Sequence, residues 1–222
     1  LCIHLHQIFN VFIMKKITLL LLVLVTLTGT STLAGNLWAF LTYASFNSPE
    51  GPYVETYLSV AANSVKFIQK ENGKFQATVN ILMTFKQNDE IKAFKKYELY
   101  SPEITDTLKT DFNFIDQQRF PLPFGSYDFE IQLSDQNKTQ QPLPYNQTIT
   151  VDFPDGKPAF SDVELIKSYK QTTTAGDLTK SGYDLVPYTF TFYPPDESKM
   201  IFYAELYNME RLLGKDQKFL LS

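Results

Sequence analysis

The sequence predicts an all-β fold: an immunoglobulin/fibronectin-like antiparallel β-sandwich followed by a second, incomplete β-sandwich unit. Three observations carry this. In Phe120–Asp135 a proline-pinned turn and Gly125 feed a strictly alternating run, with Tyr127, Phe129, Ile131 and Leu133 on one face and Asp128, Glu130, Gln132 and Ser134 on the other. That is the period-2 signature of a strand with one dry and one wet side. A tyrosine at the entry of such a strand is where sandwiches place a tyrosine corner, whose hydroxyl bonds nearby backbone. Further runs of the same kind recur at short spacing between polar turns, with no amphipathic helical stretch. The 19 Phe, 13 Tyr and one Trp make 15% of the chain aromatic, which favours a pleated surface.

Taken in order, the chain opens with a targeting signal. Met14-Lys15-Lys16 precedes the 11-residue apolar run Ile17–Leu27, and small residues lead to Thr32-Leu33-Ala34. A charged start, a short apolar run and a small-residue stretch make a secretory signal peptide, cleaved after Ala34 or Gly35. A membrane-spanning helix needs about 20 apolar residues, so the run is too short for a comfortable span. Reading Leu1–Leu27 as one anchor would bury Lys15 and Lys16 mid-membrane at several kcal/mol. Residues 1–13 read as upstream sequence, with Met14 as the start.

The product of this cleavage loses Cys2, His4 and His6, the chain's single cysteine and both histidines. Disulfides cannot staple it, and stability must come from burial. Histidine-dependent triads, cysteine nucleophiles and the usual zinc and haem ligand sets are excluded. Net charge is −4, and −6 once Lys15 and Lys16 are removed. With Arg119 and Arg211 as the only arginines, the basic footprint of a nucleic-acid binder is missing.

The sandwich, residues 36–154, begins with a strand at Leu37–Phe46, with Trp38, Phe40, Thr42, Ala44 and Phe46 on one face. Asn47–Pro52 is a turn, and Tyr53–Val60 the next strand. Ser64–Gln69 and Phe75–Phe85 flank Asn72-Gly73, a strong hairpin signal because both residues tolerate positive φ. Phe75, Ala77, Val79, Ile81, Met83 and Phe85 share a face. Lys92, Lys95 and Lys96 on Ile91–Tyr100 protect a sheet edge. Asp111–Arg119, the alternating run above and Gln147–Phe153 complete seven or eight strands. After the linker Pro154–Pro158, residues 155–222 hold strand candidates at Ala159–Ile166, Tyr183–Val186, Tyr188–Tyr193, Met200–Asn208 and within Arg211–Ser222. Such a half-sandwich leaves one apolar face open, so the chain is expected to continue beyond Ser222.

Two segments carry a family resemblance. Glu50-Gly51-Pro52-Tyr53-Val54-Glu55-Thr56-Tyr57-Leu58 behind a signal peptide resembles the N-terminal part of GWxTD-domain proteins, and Phe202-Tyr203-Ala204-Glu205-Leu206-Tyr207-Asn208 is similar too. The resemblance covers residues 37–208. It implies an exported protein of Bacteroidetes-type bacteria, with β-sandwich modules ahead of a C-terminal domain. The Gly-Trp-x-Thr-Asp signature itself is absent: Trp38 follows Leu37.

No residue is assigned a catalytic, cofactor-binding or metal-binding role, and no cofactor is implied. Glu50, Glu55, Asp89, Asp128 and Glu130 could supply carboxylate pairs for glycoside hydrolysis. Asp128 and Glu130, two apart on a strand, read better as a solvated outer face. Asp135-Gln136-Asn137 lacks the remaining ligands of a calcium loop and reads as a β-turn. Asn137-Lys138-Thr139 and Asn146-Gln147-Thr148 match the glycosylation sequon and read as turn asparagines. The glycines are isolated turn residues, not a phosphate loop. Tyr43, Tyr53, Tyr57, Tyr97 and Tyr100 exceed what one inner face needs and could stack on sugar rings. The reading is an exported, non-catalytic scaffold or protein-interaction module. Its partners would be envelope proteins or a C-terminal domain, with carbohydrate binding to an envelope polysaccharide as the alternative. Nucleic acid and a stable membrane span after cleavage are not expected.

Overall fold

The computed structural model describes residues 37–220 apart from positions 140, 177, 191 and 196. The segment expected to be a signal peptide, with Cys2, His4 and His6, lies outside the described residues. Two sheets face each other. The first holds β1 (Ala39–Ser48), β2 (Gly51–Ala61) and β7 (Asn113–Pro121), with β2 central. The second runs in the order β6 (Glu90–Tyr100), β5 (Thr78–Gln87), β8 (Gly125–Asp135), β9 (Leu143–Val151). Every pairing is antiparallel. The chain is an all-β sandwich, as its pattern predicts.

The core between the sheets is built by alternation. Val54, Leu58 and Val60 of β2 and Phe114 and Phe120 of β7 meet Val79, Ile81, Met83 and Phe85 of β5 and Tyr127, Phe129, Ile131 and Leu133 of β8. Phe85 joins the layers: its ring lies 4.5 Å from Phe129 and 4.8 Å from Phe120. Burying each such ring contributes roughly 1.5–3 kcal/mol. The tyrosine corner is present, with the Tyr127 hydroxyl donating to the Pro123 carbonyl at 2.7 Å. Asp128 and Glu130 point outward, and Glu130 pairs with Lys86 at 2.8 Å. The lysine-bearing strand β6 does form a sheet edge. Lys95 turns back from it to Gln118 of β7 at 2.7 Å.

The hairpin around Asn72-Gly73 is smaller than its signal suggests. Only β3 (Ile68–Gln69) pairs with β4 (Phe75–Gln76), and Gly73 has φ +78°. The predicted long strand breaks at Ala77, and its remainder, β5, joins the second sheet. Asn146 lies within β9 rather than in a turn.

After Pro154 the chain departs further from the predicted elements. Ala159–Ile166 divides into β10 (Ala159–Phe160) and β11 (Glu164–Gln171). A strand with no apolar pattern to announce it, β12 (Thr179–Lys180), precedes β13 (Tyr183–Pro187). Met200–Asn208 divides into β14 (Ile201–Tyr203) and β15 (Leu206–Tyr207), because its halves serve different partners, β11 and β10. The described residues of Tyr188–Tyr193 form no strand, and their rings pack on one another instead, Tyr188 on Tyr193 at 4.5 Å. The final strand expected in Arg211–Ser222 is also missing among the described residues. Met209–Leu213 is a short helix, α1, made of good helix formers and stopped by Gly214 at φ +94°.

Strands β12, β13, β11 and β14 form one sheet in that order. Its inner face carries Glu164, Ile166, Lys180, Leu185 and Tyr203. The face that a half-sandwich would leave open lies against the outer side of β1 and β2. There Ala44 and Phe46, from the face of the first strand read as apolar, are fully buried beside Tyr57 and Tyr203. Strand β2 is therefore covered on both sides, and Val54–Val60 is buried without a break.

Candidate functional site

The chemistry-bearing side chains converge where these layers meet. Glu55 and Tyr57, two apart on β2, point away from the sandwich core. Opposite Glu55 across β7 stands Arg119, and beside Tyr57 stands Gln117. From the second sheet come Glu164 at the start of β11 and Lys180 on β12. Four of these side chains are almost wholly dry: residue exposures are 0% for Glu55, 2% for Tyr57, 2% for Glu164 and 6% for Lys180.

Lys180 sits at the centre. Its ammonium contacts Oε2 of both Glu55 and Glu164 and donates to the Tyr57 hydroxyl at 3.1 Å. The charge lies 4.0 Å from the Phe46 ring centroid and 5.5 Å from that of Tyr203, which adds cation–π attraction in a desolvated setting. Glu55 is the better hydrogen-bonded of the two acids. It accepts from Arg119 Nε at 2.7 Å, from the Tyr57 hydroxyl at 2.6 Å and from Gln117 Nε2 at 3.2 Å. Glu164 Oε1, by contrast, is buried without a hydrogen-bond partner. Burial pushes the Glu164 carboxyl above its ordinary range, against the pull of Lys180. Burial, then the Glu55 charge, pushes the Tyr57 hydroxyl up, so Tyr57 stays a neutral donor.

A second set of contacts closes the edge of β1. The Asp162 carboxylate accepts from the Ser45 backbone N–H at 2.8 Å and from the Ser45 hydroxyl, and Asp162 N–H donates to the Ser45 carbonyl at 3.1 Å. Asn47 N–H donates to the Tyr207 oxygen at 2.9 Å, and Tyr203 and Tyr207 both donate to Glu205 at 2.6 Å. An exposed row of strand donors and acceptors is covered in this way.

The carboxylates singled out in the sequence do not come together. Glu50 and Asp89 are exposed in turns, Asp128 and Glu130 lie on the wet face of β8, and Glu55 alone enters the cluster. Glu55 occupies an outward position on its own sandwich, which a second layer then buries. Asp135 ends β8 as a buried turn acid, accepting from the N–H groups of Lys66 at 2.7 Å and Asn137 at 2.9 Å. Among the described residues no group of three or more His, Cys, Asp or Glu is placed to hold a metal ion. The five tyrosines do not form a platform. Tyr57 is buried, Tyr53 stacks on Phe46 at 5.5 Å, Tyr43 and Tyr97 are half-buried, and only Tyr100 is well exposed. Neither Glu164 nor Lys180 carried a site signal: Lys180 stands on a strand too polar to stand out, and Glu164 is a single acid within the strand candidate Ala159–Ile166.

A cleft of about 420 Å³ opens near the far end of the same joint, lined by Ser59, Asp111, Asn113, Ile115, Lys167 and Phe190 among others. No helix among the described residues is long and apolar enough to cross a membrane. Comparison of the chain with family models, with curated proteins and with solved structures gives no match.

Proposed function

We propose that this chain is an exported, non-catalytic β-sandwich protein acting as a scaffold or protein-interaction module of the bacterial cell envelope. The observation that carries the reading is the use of the chain's buried carboxylates. Glu55 and Glu164 are occupied in holding two sheet layers together, where no substrate reaches them, Asp135 caps a turn, and Glu50, Asp89, Asp128 and Glu130 stand apart in turns and on a wet face. Burying four ionisable side chains is costly unless each is paired, so the arrangement fixes one relative placement of the layers. The resemblance to GWxTD-domain proteins fits this role, with the described layers as a rigid spacer ahead of a C-terminal domain in a Bacteroidetes-type bacterium. Other envelope proteins or that domain would be its partners.

Carbohydrate binding is the second reading, favoured by the 420 Å³ cleft. Its Phe190 and Ile115 surfaces beside Asp111, Asn113 and Lys167 combine an apolar wall with hydrogen-bonding groups, within the size range of ligand sites. A glycan array and a panel of chromogenic glycosides, applied to the purified chain, separate the readings. The scaffold reading expects neither binding nor turnover. Binding lost on Phe190→Ala would replace it with the carbohydrate reading, and turnover would overturn both.

A further inference from the structure

We propose that Lys180 and Glu164 become joined by an intramolecular isopeptide bond, with Glu55 moving the proton. This goes beyond a scaffold role and stands or falls independently of it. The grounds are geometric. One lysine nitrogen touches two carboxylates in a site closed by Phe46, Tyr57 and Tyr203, and none of the three charged side chains exceeds 3% exposure. Water, which would compete for the acid and hydrate the amine, has no ready access.

The two carboxylates differ in what they can do. Glu55 accepts from the Arg119 guanidinium, the Tyr57 hydroxyl and Gln117, an arrangement that suits a proton carrier better than an electrophile. Glu164 has one oxygen on Lys180 and the other without a partner, and its surroundings favour the neutral acid. Transfer of one ammonium proton to Glu164 leaves a neutral amine beside a neutral carboxylic acid. The Lys180 nitrogen then attacks Cδ of Glu164. Glu55 takes a proton from the tetrahedral nitrogen and returns it to the departing hydroxyl, which leaves as water. A C–N bond forms, a C–O bond breaks, Glu55 is regenerated, and no oxidant, reductant or co-reactant is needed.

The driving force is the same one that makes the cluster costly. A buried ammonium and a buried carboxylate each lose hydration that their mutual attraction only partly restores. Converting the pair to an amide removes both charges, releases one water to bulk, and leaves Glu55 with Arg119 as a balanced pair. The new amide N–H remains beside Glu55 as its donor.

Peptide mass spectrometry of the purified, folded chain tests this directly. Trypsin cleaves after Lys138, Lys167, Lys170 and Lys199 but not between Lys157 and Pro158. The expected product is residues 139–167 linked to residues 171–199, uncut at Lys180 and lighter than the two peptides together by one water, about 18 Da. In Glu164→Gln the same linked species should form with loss of ammonia instead, about 17 Da. Glu55→Gln should give separate peptides with cleavage after Lys180. Full-mass, unlinked peptides from the folded wild-type chain would overturn the bond, whatever the variants do. A linked species persisting in Glu55→Gln would overturn the role given to Glu55.

Discussion

Replacing Lys180 by methionine gives the sharpest test of the joint. Methionine preserves the unbranched apolar stem and removes the charge, so packing against Phe46 and Tyr203 is largely kept while the ion pairs vanish. Glu55 still has Arg119, Tyr57 and Gln117. Glu164 has no other cation, and its second oxygen is already without a partner. Breaking a buried pair by removing one member costs about 3–5 kcal/mol, and with one acid stranded rather than two the lower end, about 3 kcal/mol, is expected. Where the Lys180–Glu164 amide has formed, its loss also releases a closed loop of some 15 residues, adding about 3 kcal/mol. The double variant Lys180→Met/Glu164→Leu separates the contributions. It removes the stranded charge and should return an unlinked chain to near wild-type stability, but it cannot restore a staple. The measurement is urea unfolding followed by far-UV circular dichroism, since Trp38 is largely exposed and reports poorly on the joint. A Lys180→Met chain within about 0.5 kcal/mol of wild type would refute the reasoning, because that is the range of substitutions on open surface.

Other sites give more local expectations. Tyr127→Phe removes one hydroxyl-to-carbonyl bond and should cost about 1 kcal/mol in the same assay without altering any binding. Asp128→Asn with Glu130→Gln should stay within about 0.5 kcal/mol of wild type, since both face water and the Lys86 pair is half-exposed. Gly73→Ala meets no neighbouring atom, so its cost is backbone strain alone at φ +78°, about 1–2 kcal/mol by thermal unfolding. Asp162→Ala strips the Ser45 N–H of its acceptor and should raise hydrogen exchange at Ser45 by about tenfold, the equivalent of roughly 1.4 kcal/mol of local opening.

The sandwich was legible because its strands each obey one rule. In β5 and β8 the inner face is apolar and the outer face polar, so alternation alone placed Phe85, Phe129 and Tyr127 correctly. The same rule failed at β2. Glu55, Tyr57 and Ser59 occupy its polar face, and the inference from polar to wet does not hold where a second layer supplies Lys180. The strands of that layer were harder to place for the same reason. Thr179-Lys180 is two polar residues long, and Glu164 opens β11 where an apolar residue would have announced a buried position. Tyr188–Tyr193 misled in the opposite direction: alternating aromatics suggest a strand, but here ring-on-ring packing is what uses them.

The polar joint also bears on why the layers adopt one arrangement. An apolar face of Phe46, Ile166, Leu185 and Tyr203 alone would tolerate sliding by a residue or two, since hydrophobic contact is non-directional. Lys180 can meet Glu55 and Glu164 together only when β12 lies over the middle of β2, and Asp162 can meet the Ser45 N–H only when β1 is not displaced along its edge. A shift of one strand residue, about 3.3 Å, would part Lys180 from Glu55 and Asp162 from the Ser45 N–H, leaving buried charge incompletely paired at a cost of several kcal/mol. The charges contribute little net stability over an apolar joint, but they penalise every other register heavily. That asymmetry makes the joint suited to a spacer whose geometry has to be unique.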